Sequence, residues 1–224
     1  MIPWVHLDTA KIPDSEDELR LMRRGEEYSI MSGSIELMNS RMSGSEKALA
    51  SLACERIAGR PKPAMLIGGL GMGFTLRAAL AELPDTAQVD VAELVPAVVA
   101  WGRGPMAHIF GDSLTDPRVA IHEVDVAALI GAADGGYDAI LLDVDNGPGG
   151  LSRDANDGLY SVPGLRACAK ALRPGGLLAV WSSGPNNEFA RRLRTTGYAV
   201  EEVRVHANRK GRGARHVIWI GTKS

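Results

Sequence analysis

The sequence predicts an α/β fold. A mostly parallel sheet carries helices on both faces, ends in an antiparallel hairpin and follows a small antiparallel β unit. Three observations predict it. The apolar run Ala64-Met65-Leu66-Ile67 stops in Gly68-Gly69-Leu70-Gly71-Met72-Gly73 and passes into a helical pattern, as a buried parallel strand does when it turns sharply into a helix. Strand-like and helix-like stretches then alternate to about residue 197, and such repeats build parallel sheets covered on both faces. The last two strand-like stretches, residues 198–205 and 216–221, follow one another without a helix, so they pair antiparallel.

In chain order, residues 1–17 are polar with two prolines and are expected to form an irregular arm. Residues 18–38 hold three short apolar runs with partial alternation, separated by Arg24-Gly25-Glu26 and Ser32-Gly33-Ser34. These are hairpin signals for a sheet of about three strands. The division expected is an N-terminal arm and β-hairpin unit over 1–44 and the nucleotide-type domain over 45–224. A helix is expected over 45–58, with Ser45 as its N-cap and Glu46 in the first turn; Gly59-Arg60-Pro61-Lys62-Pro63 ends it. Beyond the glycine turn come a helix over 75–83, a strand over 87–92 ending at Glu93, a helix over 96–109 and a strand over 119–123. Asp125 opens a short helix. The strand over 137–142 ends at Asp143, and a glycine-rich loop covers 145–158. A helix over 160–172, a strand over 177–181 and a helix over 187–196 lead to the terminal hairpin, giving seven core strands.

The 224 residues suit one ordinary domain plus an extension. The 45% apolar and 23% charged fractions match soluble globular chains. A net charge of −2 calls for no nucleic acid and no anionic membrane. No apolar run is long enough to span a bilayer, and no basic-then-apolar leader opens the sequence, so a cytoplasmic location is expected. Cys54 and Cys168 sit in helix-like contexts and are expected to be small buried hydrophobes. No Cys/His cluster has metal-ligand spacing, so no metal is expected.

Three ligands compete for the glycine turn. A Walker-type phosphate loop needs a lysine and a hydroxyl after its last glycine, where this chain has Phe74-Thr75. A dinucleotide fingerprint needs G-x-G-x-x-G, and Phe74 stands at its third glycine. The spacing here is G-x-G-x-G through Gly69, Gly71 and Gly73, with Gly68 closing the strand. That pattern favours S-adenosylmethionine, which has no pyrophosphate to cradle. Acids at successive strand ends support it. Glu93, followed by Leu94, is placed to accept from the ribose hydroxyls. Asp125, followed by Val126, is placed to accept from the adenine amino group, and Asp143 points into the same crevice, since open α/β sheets bind ligands outside the carboxyl ends of their strands.

These stretches resemble the spermidine synthase-like group of the class I methyltransferase superfamily, a Rossmann-like fold. Ile67-Gly68-Gly69-Leu70-Gly71-Met72-Gly73 resembles I-G-G-G-D-G-G, and Ala92-Glu93-Leu94-Val95-Pro96 resembles V-E-I-D-P. Asp116-Pro117-Arg118-Val119, followed by Val124-Asp125-Val126, is similar to D-P-R-V and G-D-A; Tyr137-Asp138-Ala139-Ile140-Leu141-Leu142-Asp143 is similar to Y-D-V-I-I-x-D. The resemblance implies an adenosyl donor, a small N-terminal β domain, a homodimer, and Asp143 as the group that deprotonates an attacking amine. Three departures weigh against aminopropyl transfer. Gly71 stands where the family has an aspartate that helps to hold the aminopropyl amine. Asp143-Val144-Asp145-Asn146 replaces D-S-x-D, so Asn146 stands where an acid helps to bind the diamine, with Asp145 one position earlier. Gly44-Ser45-Glu46 replaces Y-H-E.

The expected function is S-adenosylmethionine-dependent methyl transfer to a small-molecule nitrogen or oxygen. Asp143 would act as base, and Asp145, Asn146 and Glu46 would position the acceptor. Trp181 is a candidate border of the acceptor pocket and the loop 147–158 a candidate lid. The alternatives are aminopropyl transfer from decarboxylated S-adenosylmethionine and a nucleoside-binding protein without turnover. The basic stretch around 208–213 reads as a solvated turn, and His108 as a surface or helix-end residue.

Overall fold

The computed structural model describes residues 2–144, 147–148, 158–207 and 214–223. Its first sheet is antiparallel, in the order β1 (Val5–Lys11), β2 (Glu18–Arg24), β3 (Glu27–Ser32) and β4 (Ile35–Asn39). It has four strands rather than about three, and the expected irregular arm contributes the extra one. β1 is an edge strand whose side chains are nearly all exposed. Its order comes from backbone pairing with β2, so it shows no buried face to read.

The main sheet runs β10 (Tyr198–His206), β11 (Arg215–Lys223), β9 (Leu172–Ser182), β8 (Tyr137–Leu142), β5 (Ala64–Gly68), β6 (Gln88–Ala92), β7 (Val119–His122). The pairs from β9 to β7 are parallel, and β11 is antiparallel to both of its neighbours, as the helix-free ending requires. The helices are α1 (Gly44–Arg56), α2 (Phe74–Glu82), α3 (Pro96–Arg103), α4 (Ala107–Phe110), α5 (Val126–Ala132), α6 (Val162–Ala171) and α7 (Asn187–Thr195). No described helix is long and apolar enough to cross a membrane.

The wholly buried β5 shows why the sheet is covered twice. Met65 and Ile67 pack into one apolar layer with Leu49 of α1 and Leu76 of α2, while Leu66 packs into the other with Val126 of α5 and Leu165 of α6. This is the period of two expected of a strand buried on both faces. Cys54 and Cys168 are both buried and free, and burial pushes each thiol up to about 12.

Two elements differ from the expected bounds. The helix over 96–109 is two pieces, α3 and α4, broken after Gly104. Pro105 has no N–H to continue the ladder and disfavours helical backbone in the residue before it. β9 starts at Leu172, with Arg173-Pro174-Gly175-Gly176 looped out where its register on β8 shifts between Tyr137 and Ala139.

The chain builds outward from β5 through β6 to β7, then returns to lay β8 on the other side of β5. Order reverses between β5 and β8, and such switch points open crevices beyond the carboxyl ends of the strands. At the opposite end of β8, Asp138 is fully buried. It pairs with Arg60 at 2.6 Å and Arg173 at 2.7 Å and accepts from the Ala64 amide at 2.8 Å.

Candidate functional site

A cavity of about 330 Å³ lies at this reversal point. The strand ends supply one wall, through Gly69, Gly71, Glu93, Asp125 and Asp143; the small sheet supplies the other, through Leu19, Ile30, Leu37 and Met38. Among the described residues, four carboxylates line it (Glu46, Glu93, Asp125 and Asp143) and no lysine or arginine does.

The glycine turn takes the shape that its spacing predicts. Gly69, Gly71 and Gly73 all have positive φ, at 91°, 50° and 72°, where side chains are strained. Gly73 is the N-cap of α2. Gly68 is shielded from the cavity: a Cβ there would meet Val126 Cγ2 at 2.9 Å. Gly71 faces the small sheet. A Cβ on it would sit 2.7 Å from Met38 Cε, and the Met38 sulfur accepts from the Met72 amide at 3.0 Å. A thioether from β4 therefore fills the space that a longer residue 71 would use.

Glu93 is buried against this turn. Its Oε2 accepts from the Leu70 amide at 3.0 Å and its Oε1 from the Val95 amide at 2.9 Å. Burial raises its pKa, although these amides favour the anion. The Gly71 and Leu94 amides also favour its anion, so four backbone N–H groups converge on this carboxylate. Leu94 and Val126 also line the cavity. Asp125 does two jobs: Oδ1 caps α5 by accepting from the Ala127 amide at 2.8 Å, and the exposed side chain borders the cavity. The cap and ligand readings of this acid are thus compatible.

Asp143 follows β8, its amide donating to Gly68 O at 2.9 Å. Thr75 Oγ1 donates to Asp143 Oδ2 at 2.5 Å. Asp143 lines the cavity, and burial pushes its pKa up to about 7. The negative Glu46 nearby adds to this, and the Thr75 hydrogen bond partly opposes it. Burial likewise raises Glu46.

Glu46 lies in the first turn of α1, as expected, but Ser45 is not the cap. Ser43 holds the N-cap position, with no side-chain cap bond. Ser45 is 1% exposed; its hydroxyl donates to Glu46 Oε2 at 2.8 Å and faces His216 Nδ1 at 2.9 Å. The His216 ring meets Trp181 edge-on, with centroids 4.8 Å apart, and both residues line the cavity. Trp181 therefore borders the pocket and packs at the strand end at once. Asp145 and Asn146 lie outside the described residues, as do most of the loop 147–158 and the basic stretch 208–213. The start of that loop is pinned: Asn186 Nδ2 donates to Pro148 O at 2.9 Å. His108 is exposed and stacks obliquely on Tyr28 at 5.4 Å.

Thr75, Ser45, His216 and Met38 were not expected in the site. Thr75 alone had a local signal, a hydroxyl two residues past the last turn glycine. The others reach the crevice only through tertiary structure.

No family model matches the chain. Over 119 residues, 53% of the chain, it is 39% identical to putrescine N-methyltransferase 4 of Nicotiana tabacum, covering 29% of that protein. Over 166 residues, 70% of the chain, it is 31% identical to the polyamine aminopropyltransferase of Mycobacterium tuberculosis, covering 30% of that protein. The chain thus spans under a third of the length of these relatives. The fold matches the spermidine synthase from Thermotoga maritima with a TM-score of 0.77 at 16% identity, over 98% of this chain and 73% of that one. In sequence the chain is similar to putrescine N-methyltransferases and polyamine aminopropyltransferases, and its fold is that of the spermidine synthases.

Proposed function

We propose that this spermidine synthase-like protein is an S-adenosylmethionine-dependent N-methyltransferase acting on a small amine. The observation that carries the proposal is a cavity at the glycine turn lined, among the described residues, by four carboxylates and by no lysine or arginine. Such a site favours cationic ligands, and both a sulfonium and an amine fit that description. The similarity to putrescine N-methyltransferases supports the choice of an amine over an oxygen acceptor.

In this reading residues 45–224 hold the donor and 1–44 wall it in. Glu93 accepts from the ribose hydroxyls. Gly69, Gly71 and Leu94 border the nucleoside, Gly68 and Gly73 shape the turn, and Asp125 and Val126 receive the adenine. When bound, S-adenosylmethionine supplies an electrophilic methyl carbon. Asp143 accepts the proton that the acceptor nitrogen gives up, and a pKa of about 7 suits a base working near neutrality. Glu46 and Trp181 border the acceptor, and Asp145 and Asn146 are proposed from the sequence alone to position it. We place the protein in the cytoplasm as a homodimer on the family resemblance, and its acidic cavity supports a small-molecule partner rather than nucleic acid.

Aminopropyl transfer from decarboxylated S-adenosylmethionine is the second reading, favoured by the longer match to a polyamine aminopropyltransferase. The covered Gly71 weighs against it, because an apolar thioether stands where an amine-holding acid would project. Calorimetry with S-adenosylmethionine, its decarboxylated form and S-adenosylhomocysteine, paired with turnover on putrescine and other amines, separates the readings. Methyl transfer with preference for the carboxylated donor is expected. Preference for the decarboxylated donor would establish aminopropyl transfer instead, and tight donor binding without turnover on any amine would mark a nucleoside-binding protein.

A further inference from the structure

The strand β11 brings an imidazole into the acidic cavity. His216 Nδ1 lies 2.9 Å from Ser45 Oγ, which donates to Glu46 Oε2 at 2.8 Å. A serine hydroxyl has one proton, and an ionised carboxylate only accepts. With the Ser45 proton committed to Glu46, its lone pair takes a proton from His216. Nδ1 therefore carries the hydrogen, and Nε2 is left with a free lone pair. Nε2 has no partner among the described residues, and the ring lines the cavity beside Trp181.

We propose that His216 holds the acceptor: Nε2 takes a hydrogen bond from the acceptor nitrogen, and Ser45 fixes the tautomer that makes this possible. The proposal rests on the amine-methylating reading above. A neutral primary amine has two N–H groups and one lone pair. If Asp143 takes one N–H and His216 Nε2 the other, the lone pair is left to face the donor. Thr75 and the first turn of α1 tie these two acceptors together, because the Thr75 hydroxyl reaches Asp143 Oδ2 at 2.5 Å and Glu46 O at 3.4 Å. Burial lowers the His216 pKa, which keeps the ring neutral despite the acids that share its cavity: Glu46, Glu93, Asp125 and Asp143. Ser45 is a positioning residue, acting only through the ring.

Two measurements test the proposal. Nitrogen-15 imidazole spectra of the S-adenosylhomocysteine complex are expected to show the Nδ1–H tautomer at His216. Adding putrescine should shift Nε2, and Ser45→Ala should abolish the tautomer preference. In kinetics, His216→Phe is expected to raise the KM for putrescine about tenfold, the loss of one hydrogen bond, with S-adenosylhomocysteine affinity unchanged. His216→Gln, which restores an acceptor oxygen, should recover most of that loss. An Nε2–H tautomer in the wild type, or a wild-type KM in His216→Phe, would overturn the proposal. If the wild type transfers no methyl group to any amine, the functional reading falls, and the spectra decide the tautomer by themselves.

Discussion

Asp138 and Asp143 are five residues apart on and just beyond β8, both packed inside protein, and their surroundings are opposite. Asp138 faces the amino ends of the strands, where Arg60, Arg173 and the Ala64 amide satisfy it. Asp143 faces the carboxyl ends, where its nearest charged neighbour is another acid, Glu46, and Thr75 supplies one hydrogen bond. One end of the sheet neutralises its buried charge. The other gives Asp143 no basic partner among the described residues, which costs stability and, under the proposed function, suits a cation. If the proposed function holds, the missing counter-ion rather than burial separates the base from the structural acid.

Several substitutions test that contrast. The largest effect is expected from Asp143→Asn, which should cut methyl transfer about 10²–10⁴-fold, the usual worth of a positioned base, while calorimetric affinity for S-adenosylhomocysteine holds. A comparable activity loss in Asp138→Asn without unfolding would break the comparison. Next comes Asp138→Ala. It strands two arginines, but both are partly exposed, so water recovers part of the cost and about 2–3 kcal/mol is lost. Calorimetric melting should fall by about 5–10 °C, with donor affinity intact in the protein that remains folded.

A subtler effect concerns pH. The folded pKa of Asp143, about 7, lies above its ordinary 3.8. Between these values the folded state keeps a proton that the unfolded chain releases, so this group's contribution to stability falls as pH rises from about 4 to 7. Melting curves of Asp143→Asn should therefore lie above the wild type at pH 8 and converge with it near pH 4. The smallest expected effect is Gly71→Ala, about 1 kcal/mol or somewhat more from a positive φ and contact with Met38. Denaturant titration reads it, and Met38→Ala in the same chain should relieve the contact and leave the backbone strain.

What was legible in the sequence was local. The turn glycines, the acids at strand ends and the helix-free terminal pair each mark their place in the fold within a few residues, and the parallel core followed from them. Gly104-Pro105 was equally local, and its break between α3 and α4 was there to be read. β1 was hidden because an edge strand with both faces wet has no apolar period. Ser45 looked like a helix cap because Ser before Glu at the start of a periodic run is a capping pattern. Its true partner is 171 positions away, and no spacing rule reaches that far. Met38 belongs with Gly71 only because the small sheet folds over the turn.

The placing of β11 has one more consequence. It is the last strand in the chain order described, yet it is inserted between β10 and β9 rather than added at an edge. Until it slots in, β9 has an open flank, Trp181 lacks the imidazole beside it and the crevice lacks a wall. The Trp181–His216 side of the cavity, the proposed acceptor half, is thus assembled from contacts of very long sequence separation, the slowest kind to form, whereas the glycine turn and Glu93 are near neighbours in sequence. Refolding followed by ligand binding should recover nucleoside affinity before acceptor affinity, so the pocket itself would report when the final strand has found its place.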